Sequence, residues 1–247
     1  NKGMPCAFCS LKPSQNKHHE VISHKEENLN KLKEAVSLAF SAGDELNWMI
    51  VTGGSMCNRK AETDKYVAVL ETIQSSLPES WKKVIKGNVA LLPDNSVDDL
   101  MRLYAAGVEH PSYTLEVWGK ENYSKLCPGK NIYVGFNETL KAYVNSVSIW
   151  GVGNVWCNFV GGLIPLDQLK DGFRFMADLG VVPGANIFHV DPGTVAERDG
   201  LNGPDMNFIL DMYYSLGEIY HEYGYKPFFN EGVLRNSLAN EVYNGWL

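Results

Sequence analysis

The sequence predicts an α/β fold, a (β/α) barrel, and three observations predict it. Apolar runs of strand length alternate with stretches of helical periodicity along the whole chain, the pattern of parallel strands joined by crossover helices. At least five such strands are visible. The breaks after them are polar or glycine-rich (Gly53-Gly54, Glu116 to Trp118, Asn158 to Gly162, His189 to Thr194), and a barrel builds its active site at that face. No internal repeat, low-complexity stretch or linker divides the chain, so residues 1–247 read as one domain.

Taken in order, residues 10–24 are polar and include His18, His19 and His24 without regular ligand spacing, which reads as a solvated loop. Leu29, Leu32, Ala35, Val36, Ala39 and Phe40 recur at helical spacing, and Gly43 ends that helix. Trp48 to Thr52 is a buried strand broken by Gly53-Gly54. A helix capped at about Thr63 follows, with Tyr66, Val67, Leu70 and Ile73, and stops before Pro78. Val89 to Leu92 is the next strand. Ser96 opens a helix closed by Gly107, and Tyr113 to Trp118 is a strand with Glu116 in it. Residues 142–150 are helical in pattern, and 155–160 form a strand. The helix 166–179 ends at Gly180. Residues 185–190 are the last strand, with Asp191-Pro192-Gly193-Thr194 as its turn, and a long helix covers about 204–223.

Composition bounds the chemistry. Hydrophobic residues are 45% and charged residues 21%, ordinary for a globular chain with a sizeable core. A formal net charge of -7 does not suggest a nucleic-acid partner, so none is expected. No apolar run reaches bilayer-spanning length and no signal peptide is visible, so no membrane role is expected. Five cysteines without a disulfide framework point to a reducing, cytoplasmic setting.

The chemistry centres on Cys6-Ala7-Phe8-Cys9. Two thiolates at this spacing hold zinc or an iron–sulfur cluster, or form a redox disulfide. Zinc wants a second pair, whereas Cys57, Cys127 and Cys157 are scattered singly. A thioredoxin-like pair would open a helix, whereas polar residues follow here. Iron–sulfur gains by elimination. Glu116 is costly to bury unpaired, so it is a cofactor or substrate contact or half of an ion pair. Asn158 and His189 each serve a ligand or satisfy the core, and Cys157 reads as a core residue.

A cysteine loop ahead of an alternating β/α chain resembles the radical S-adenosylmethionine (SAM) superfamily. Cys6-Ala7-Phe8-Cys9 matches the last four positions of its Cys-x3-Cys-x-aromatic-Cys motif. Thr52-Gly53-Gly54-Ser55 is similar to its Gly-Gly-Glu-like element, with Ser55 in the acid's place. Leu103 to Val108 resembles the end of the helix before strand four. Leu115-Glu116-Val117 resembles the strand-four Glu of the biotin synthase-like branch, and Cys127-Pro128-Gly129-Lys130 the turn after it. Residues 150–155 and 160–163 resemble that branch's fifth strand, with Ile164 where an acid usually stands. Asp191-Pro192-Gly193-Thr194 matches the Pro-Gly-Thr after strand six. The resemblance covers roughly residues 4–200 and extends to methylornithine synthase and to hydrogenase maturases of the HydE and iron–guanylylpyridinol (HcgA, HmdB) kind.

The resemblance implies a radical SAM-type barrel with its first strand missing from this sequence, N-terminally incomplete. It implies a [4Fe-4S] cluster and S-adenosylmethionine as cofactors, with Cys6 and Cys9 as metal ligands. Phe8, Gly53, Gly54, Ser55, Glu116 and Asn158 would bind the cofactor, and Glu116 and His189 would be catalytic. The cluster would cleave SAM to a 5′-deoxyadenosyl radical that abstracts hydrogen from a small-molecule substrate, in cofactor biosynthesis, with a ferredoxin or flavodoxin as reductant. Position 2, where the motif wants its first cysteine, is Lys2, so a third thiolate is expected upstream of Asn1. Cys57 is the nearest internal candidate, and Cys127 and Cys157 lie in later segments. Two alternatives stand beside this: a non-catalytic nucleoside-binding or scaffold protein on the same barrel, or a barrel enzyme with a structural zinc at Cys6 and Cys9.

Overall fold

The computed structural model describes residues 4–11, 13, 26–42, 48–81, 84–92, 94–227 and 238–247. The expected polar histidine loop and the helix stop at Gly43 lie outside them. The elements run α1 (Glu26–Ser41), β1 (Met49–Thr52), α2 (Arg59–Gln74), β2 (Ile85–Ala90), α3 (Val97–Ala105), β3 (Val108–Glu116), α4 (Lys120–Leu126), α5 (Pro128–Tyr133), α6 (Phe136–Trp150), β4 (Val155–Gly161), α7 (Leu166–Asp178), β5 (Val181–Ile187), α8 (Val195–Arg198), α9 (Met206–Tyr223) and α10 (Ala239–Tyr243). All five strands are parallel and pair in chain order, β1-β2-β3-β4-β5. Sequential order without a switch point is the order of a (β/α) barrel, and this sheet is part of one. Among the described residues no strand precedes Met49.

The two faces of the sheet differ. Tyr113, Leu115, Cys157 and Phe159 point at the helices and are fully buried; Phe159 meets Phe173 of α7, and Tyr113 meets Tyr143 of α6. Helix-layer phenols bond strand carbonyls: Tyr66 to Ala90, Tyr143 to Tyr113, Tyr213 to Ala185 and Tyr220 to Pro183, each at 2.8 Å. A buried phenol needs such a partner. The inner face is polar. The register aligns Asn88 with Ile50 and His110, and two steps on along β3 it aligns Thr114 with Asn158. His110 stacks on Trp156 at 4.5 Å, and Trp48 lies parallel to both.

Several boundaries differ from expectation. Asn58, not Thr63, caps α2: its side chain accepts from Ala61 N–H, while Thr63 is buried one turn inside. Strands β2 and β3 begin four and five residues earlier than their apolar runs, because Lys86-Gly87-Asn88 and His110-Pro111-Ser112 interrupt those runs. Strand β5 likewise begins at Val181, not Ala185. Gly87 has φ 129°, and a Cβ there would lie 1.9 Å from the Met49 carbonyl of β1, so only glycine fits the crossing. Helix α6 begins at Phe136, six residues before the predicted start. Helices α4, α5, α8 and α10 were not legible.

Candidate functional site

The residues the sequence singles out gather at the C-terminal ends of the strands. The cysteine loop is stitched there by backbone bonds on both sides. Ala7 N–H donates to Leu126 O (2.8 Å) at the end of α4, and Ala196 N–H of α8 donates to Ala7 O (2.7 Å). Gly129 admits the loop: a Cβ on it would lie 2.4 Å from Met4 O. Phe8 packs on Val160, Phe188 and Ala196, the small apolar cluster beside the ends of β4 and β5.

Cys6 and Cys9 are partly exposed, and Cys127 is fully buried beneath Cys6. A hydrogen bond from Cys127 lowers the Cys6 thiol pKa against burial, and the same bond with burial raises Cys127. Burial raises Cys9. Cys127, not Cys57, is thus the cysteine beside the loop; Cys57 pairs with the Tyr133 phenol instead. Cys157 faces the helices as a core residue, and burial pushes its thiol up to about 12.

Glu116 ends β3 on the inner row and is the one non-glycine residue with positive φ (71°) among the described residues. Val117 N–H donates to Leu115 O across it at 2.9 Å, closing a tight three-residue turn. A backbone in this region costs about 1–3 kcal/mol and is held by its surroundings. Lys130 does the holding. Its Nζ donates to Glu116 Oε1 (2.5 Å), Thr114 Oγ1 (2.7 Å) and Thr114 O (2.9 Å). Burial lowers the ammonium's pKa, but the Glu116 carboxylate and the two nearby thiols more than offset that and raise it. So Glu116 is ion-paired, and its partner comes from the Cys127-Pro128-Gly129-Lys130 turn.

Gly53, Gly54 and Ser55 follow β1 at the same end and are exposed or half-buried. A buried residue missing from the sequence reading holds their loop: Glu62 of α2. Its Oε2 accepts from Met56 N–H (2.6 Å) and its Oε1 from Leu92 N–H (2.8 Å), tying the loop after β1 to that after β2. Burial raises its pKa, against the pull of those two bonds. Asn58 as cap, with an acid four residues on, was the available signal. Asn158 lies inward on β4 at 8% exposure, and its Oδ1 has no hydrogen-bond partner among the described residues. His189 lies past β5, exposed, with Nδ1 3.0 Å from Asp191 Oδ1. Ile164, where the resemblance would want an acid, is buried in the core.

The comparisons fit this geometry. The chain superposes on coproporphyrinogen III oxidase (HemN) from Escherichia coli, a radical SAM enzyme, with TM-score 0.55 and 12% identity, covering 90% of this chain and 50% of that one. Its fold is that of radical SAM enzymes. HydG, a maturase of the [FeFe]-hydrogenase, matches with TM-score 0.63 and 14% identity over 90% and 47%. A radical SAM methyltransferase from Sphaerobacter thermophilus matches with TM-score 0.60 and 17% identity over 90% and 61%. In sequence the chain is 24% identical over 233 residues to bacteriochlorophyllide c C-7(1)-hydroxylase of Chlorobaculum limnaeum, covering 90% of this chain and 57% of that protein. The chain thus spans little more than half of that relative's length. No protein-family model matches it. No helix among the described residues is long and apolar enough to cross a membrane.

Proposed function

We propose that this chain is the barrel of a radical SAM enzyme that acts on a small molecule in cofactor biosynthesis. One observation carries the reading: the Cys6–Cys9 loop sits over the C-terminal mouth of the sheet, directly above a polar inner wall. The site suits SAM. Asn158 Oδ1 is a buried acceptor that a ribose hydroxyl would satisfy, Gly53 and Gly54 present backbone without side chains at the β1 mouth to the methionine end, and Phe8 offers an aromatic face. It suits a cluster in part. Cys6 and Cys9 would give two thiolates, and among the described residues no group of three Cys, His, Asp or Glu converges to hold a metal ion.

A [4Fe-4S] cluster with SAM would supply a one-electron reductive C–S cleavage and a carbon radical, with a ferredoxin or flavodoxin as electron donor. The chain's own residues bind, orient and exclude water. Lys130 fixes the Glu116 carboxylate at the mouth, where it would orient cofactor or substrate. Glu62 fixes the Gly53–Ser55 loop. His189 and Asp191 at the rim would meet the substrate's outer end. Bacteriochlorophyllide c, on which the sequence relative is named as acting, is a small molecule and not a polymer, which supports that class of substrate for this chain.

The test is anaerobic reconstitution with iron and sulfide, then SAM and dithionite. The expected product is 5′-deoxyadenosine, lost in Cys6→Ala and Cys9→Ala. The unsupported third ligand position favours a second reading, a nucleoside-binding scaffold on this barrel, which predicts SAM binding without iron and without cleavage. Preparations holding one zinc and no iron would point instead to a structural metal.

A further inference from the structure

We propose that the N-terminal end of the barrel carries a second site, for a small flat zwitterion whose ammonium lies between Glu109 and His110 and whose carboxylate meets Lys226. It stands apart from the chemistry at the cysteine loop, and the failure of either leaves the other in place. A cavity of about 520 Å³ opens there, a size that holds a small molecule. Its walls come from strand starts and from the chain after α9: Trp48 just ahead of β1, Glu109 and His110 of β3, Trp156 of β4, and Tyr223 to Lys226. Strand β4 runs on from Trp156 to Gly161 at the mouth, about 17 Å at 3.3 Å per residue, so a small molecule held at one end does not reach the other.

One wall is flat. His110 stacks on Trp156 at 4.5 Å, and Trp48 lies within 19° of the first ring's plane and 9° of the second's. Such faces take a flat ring or a cation. His110 Nδ1 lies 3.1 Å from Asn154 O. A carbonyl only accepts, so the ring proton sits on Nδ1. Burial lowers the His110 pKa from its ordinary 6.5, so the ring is neutral at pH 7 and Nε2 keeps a lone pair. Nε2 lies 4.0 Å from Glu109 Oε2, which already accepts from Gly87 N–H at 2.7 Å. Two acceptors thus face each other with no donor between them among the described residues. The two side chains are 18% and 33% exposed, so a ligand reaches both. An ammonium bridges them, with one N–H to each and its charge beside the carboxylate.

The other side of the cavity sets the second charge. Glu109 leans toward β2 through Gly87. Lys226 follows Tyr225, whose ring lies against Gly153 ahead of β4 and whose hydroxyl donates to Ala177 O of α7 at 2.9 Å. An ammonium has three donors, so Lys226 takes a carboxylate beside any other contact it keeps. A ligand with only a cation would leave the Lys226 charge facing it. A ligand with only an anion would meet the Glu109 carboxylate and leave the two acceptors unbridged.

Three probes built on one ring test this on the full chain by calorimetric titration: 4-(aminomethyl)benzoate (both charges), 4-methylbenzoate (no ammonium) and benzylamine (no carboxylate). The zwitterion is expected to bind saturably. Loss of the ammonium should weaken binding about tenfold or more, because a charge-assisted bridge is removed. Loss of the carboxylate should weaken it about two- to fivefold, because Lys226 is exposed. Glu109→Gln keeps an acceptor for Gly87 N–H, and it should remove most of the first difference and keep the second. Lys226→Met should do the reverse. No saturable binding of the zwitterion, or equal or tighter binding of either singly charged probe, overturns the proposal. A folded variant that leaves its own difference unchanged overturns it too. The wild-type series needs no variant, so it decides even where a variant fails to fold.

Discussion

At the scale of single residues, the contact between Glu116 and Lys130 decides most. The two side chains are 11% and 13% exposed, so neither charge is well solvated. Removing one partner of a buried pair leaves the other charge uncompensated, which costs about 3–5 kcal/mol. Lys130→Met should therefore lower unfolding free energy by about that amount in urea titration, and it should also free the strained turn at Glu116. The double variant with Glu116→Gln should recover part of the loss, because no bare carboxylate remains; additive losses would show that the pair is not the unit holding the turn. Sequence spacing could suggest that Glu116 was special. It could not supply Lys130, fourteen residues away across α4, nor Cys127 beneath Cys6, because those contacts exist only once α4 and α5 fold the turn back over the strand end.

At the scale of elements, alternation was legible and strand starts were not, for one physical reason. A parallel strand reads as a continuous apolar run when both faces are apolar. Here Lys86-Gly87-Asn88 and His110-Pro111-Ser112 interrupt β2 and β3, so the visible runs kept only their ends, and Pro183-Gly184 cut Val181-Val182 off from the run read for β5. Pro111 in a central strand argues further against the true start of β3. Short α4 and α5, joined at Cys127 with Pro128 at the first position of α5, give too little periodicity to read. Loop order depends on Glu62. Glu62→Gln would set an amide N–H against one of two buried backbone N–H groups, and should cost about 1–3 kcal/mol. Hydrogen exchange at Met56 and Leu92 checks it: both amides should exchange faster in the variant, and unchanged protection would remove Glu62 as the clamp. The start of β3 carries a pH effect. Burial lowers His110, against its bond to Asn154 O (3.1 Å) and the nearby Glu109 carboxylate. A base whose folded pKa is depressed gives stability present above its ordinary value of 6.5 and lost as pH falls through the folded value. Wild-type stability should therefore drop on acidification below about 6.5, and His110→Phe should lack that part of the drop. Parallel pH curves for the two proteins would contradict the assignment.

At the scale of the whole molecule, the cysteine loop joins parts of the sheet that are far apart in sequence. Through Ala7 it is bonded to the end of α4, which follows β3, and to α8, which follows β5. Through Phe8 it packs on Val160 at the end of β4 and on Phe188 and Ala196 after β5. A ligand held by this loop therefore touches the mouth on both sides, and its binding energy enters global stability by mass action. At a concentration about a hundred times its dissociation constant, a ligand that binds only the folded chain adds about 2.7 kcal/mol. For a chain of this length, 1 kcal/mol moves the melting temperature by about 2–4 °C. SAM added to anaerobically reconstituted protein should thus raise the melting temperature by roughly 5–10 °C. Cys6→Ala and Cys9→Ala should lose most of that shift, since SAM would lose the metal it chelates. Cys57→Ser should keep it, because Cys57 interacts with the Tyr133 phenol and a serine hydroxyl can take that partner. Cys127→Ser should also keep it, because a hydroxyl can still donate to Cys6 from the buried position. A full shift in Cys6→Ala would mean that SAM binds without the thiolates, and would move the chain from the radical reading to the scaffold one.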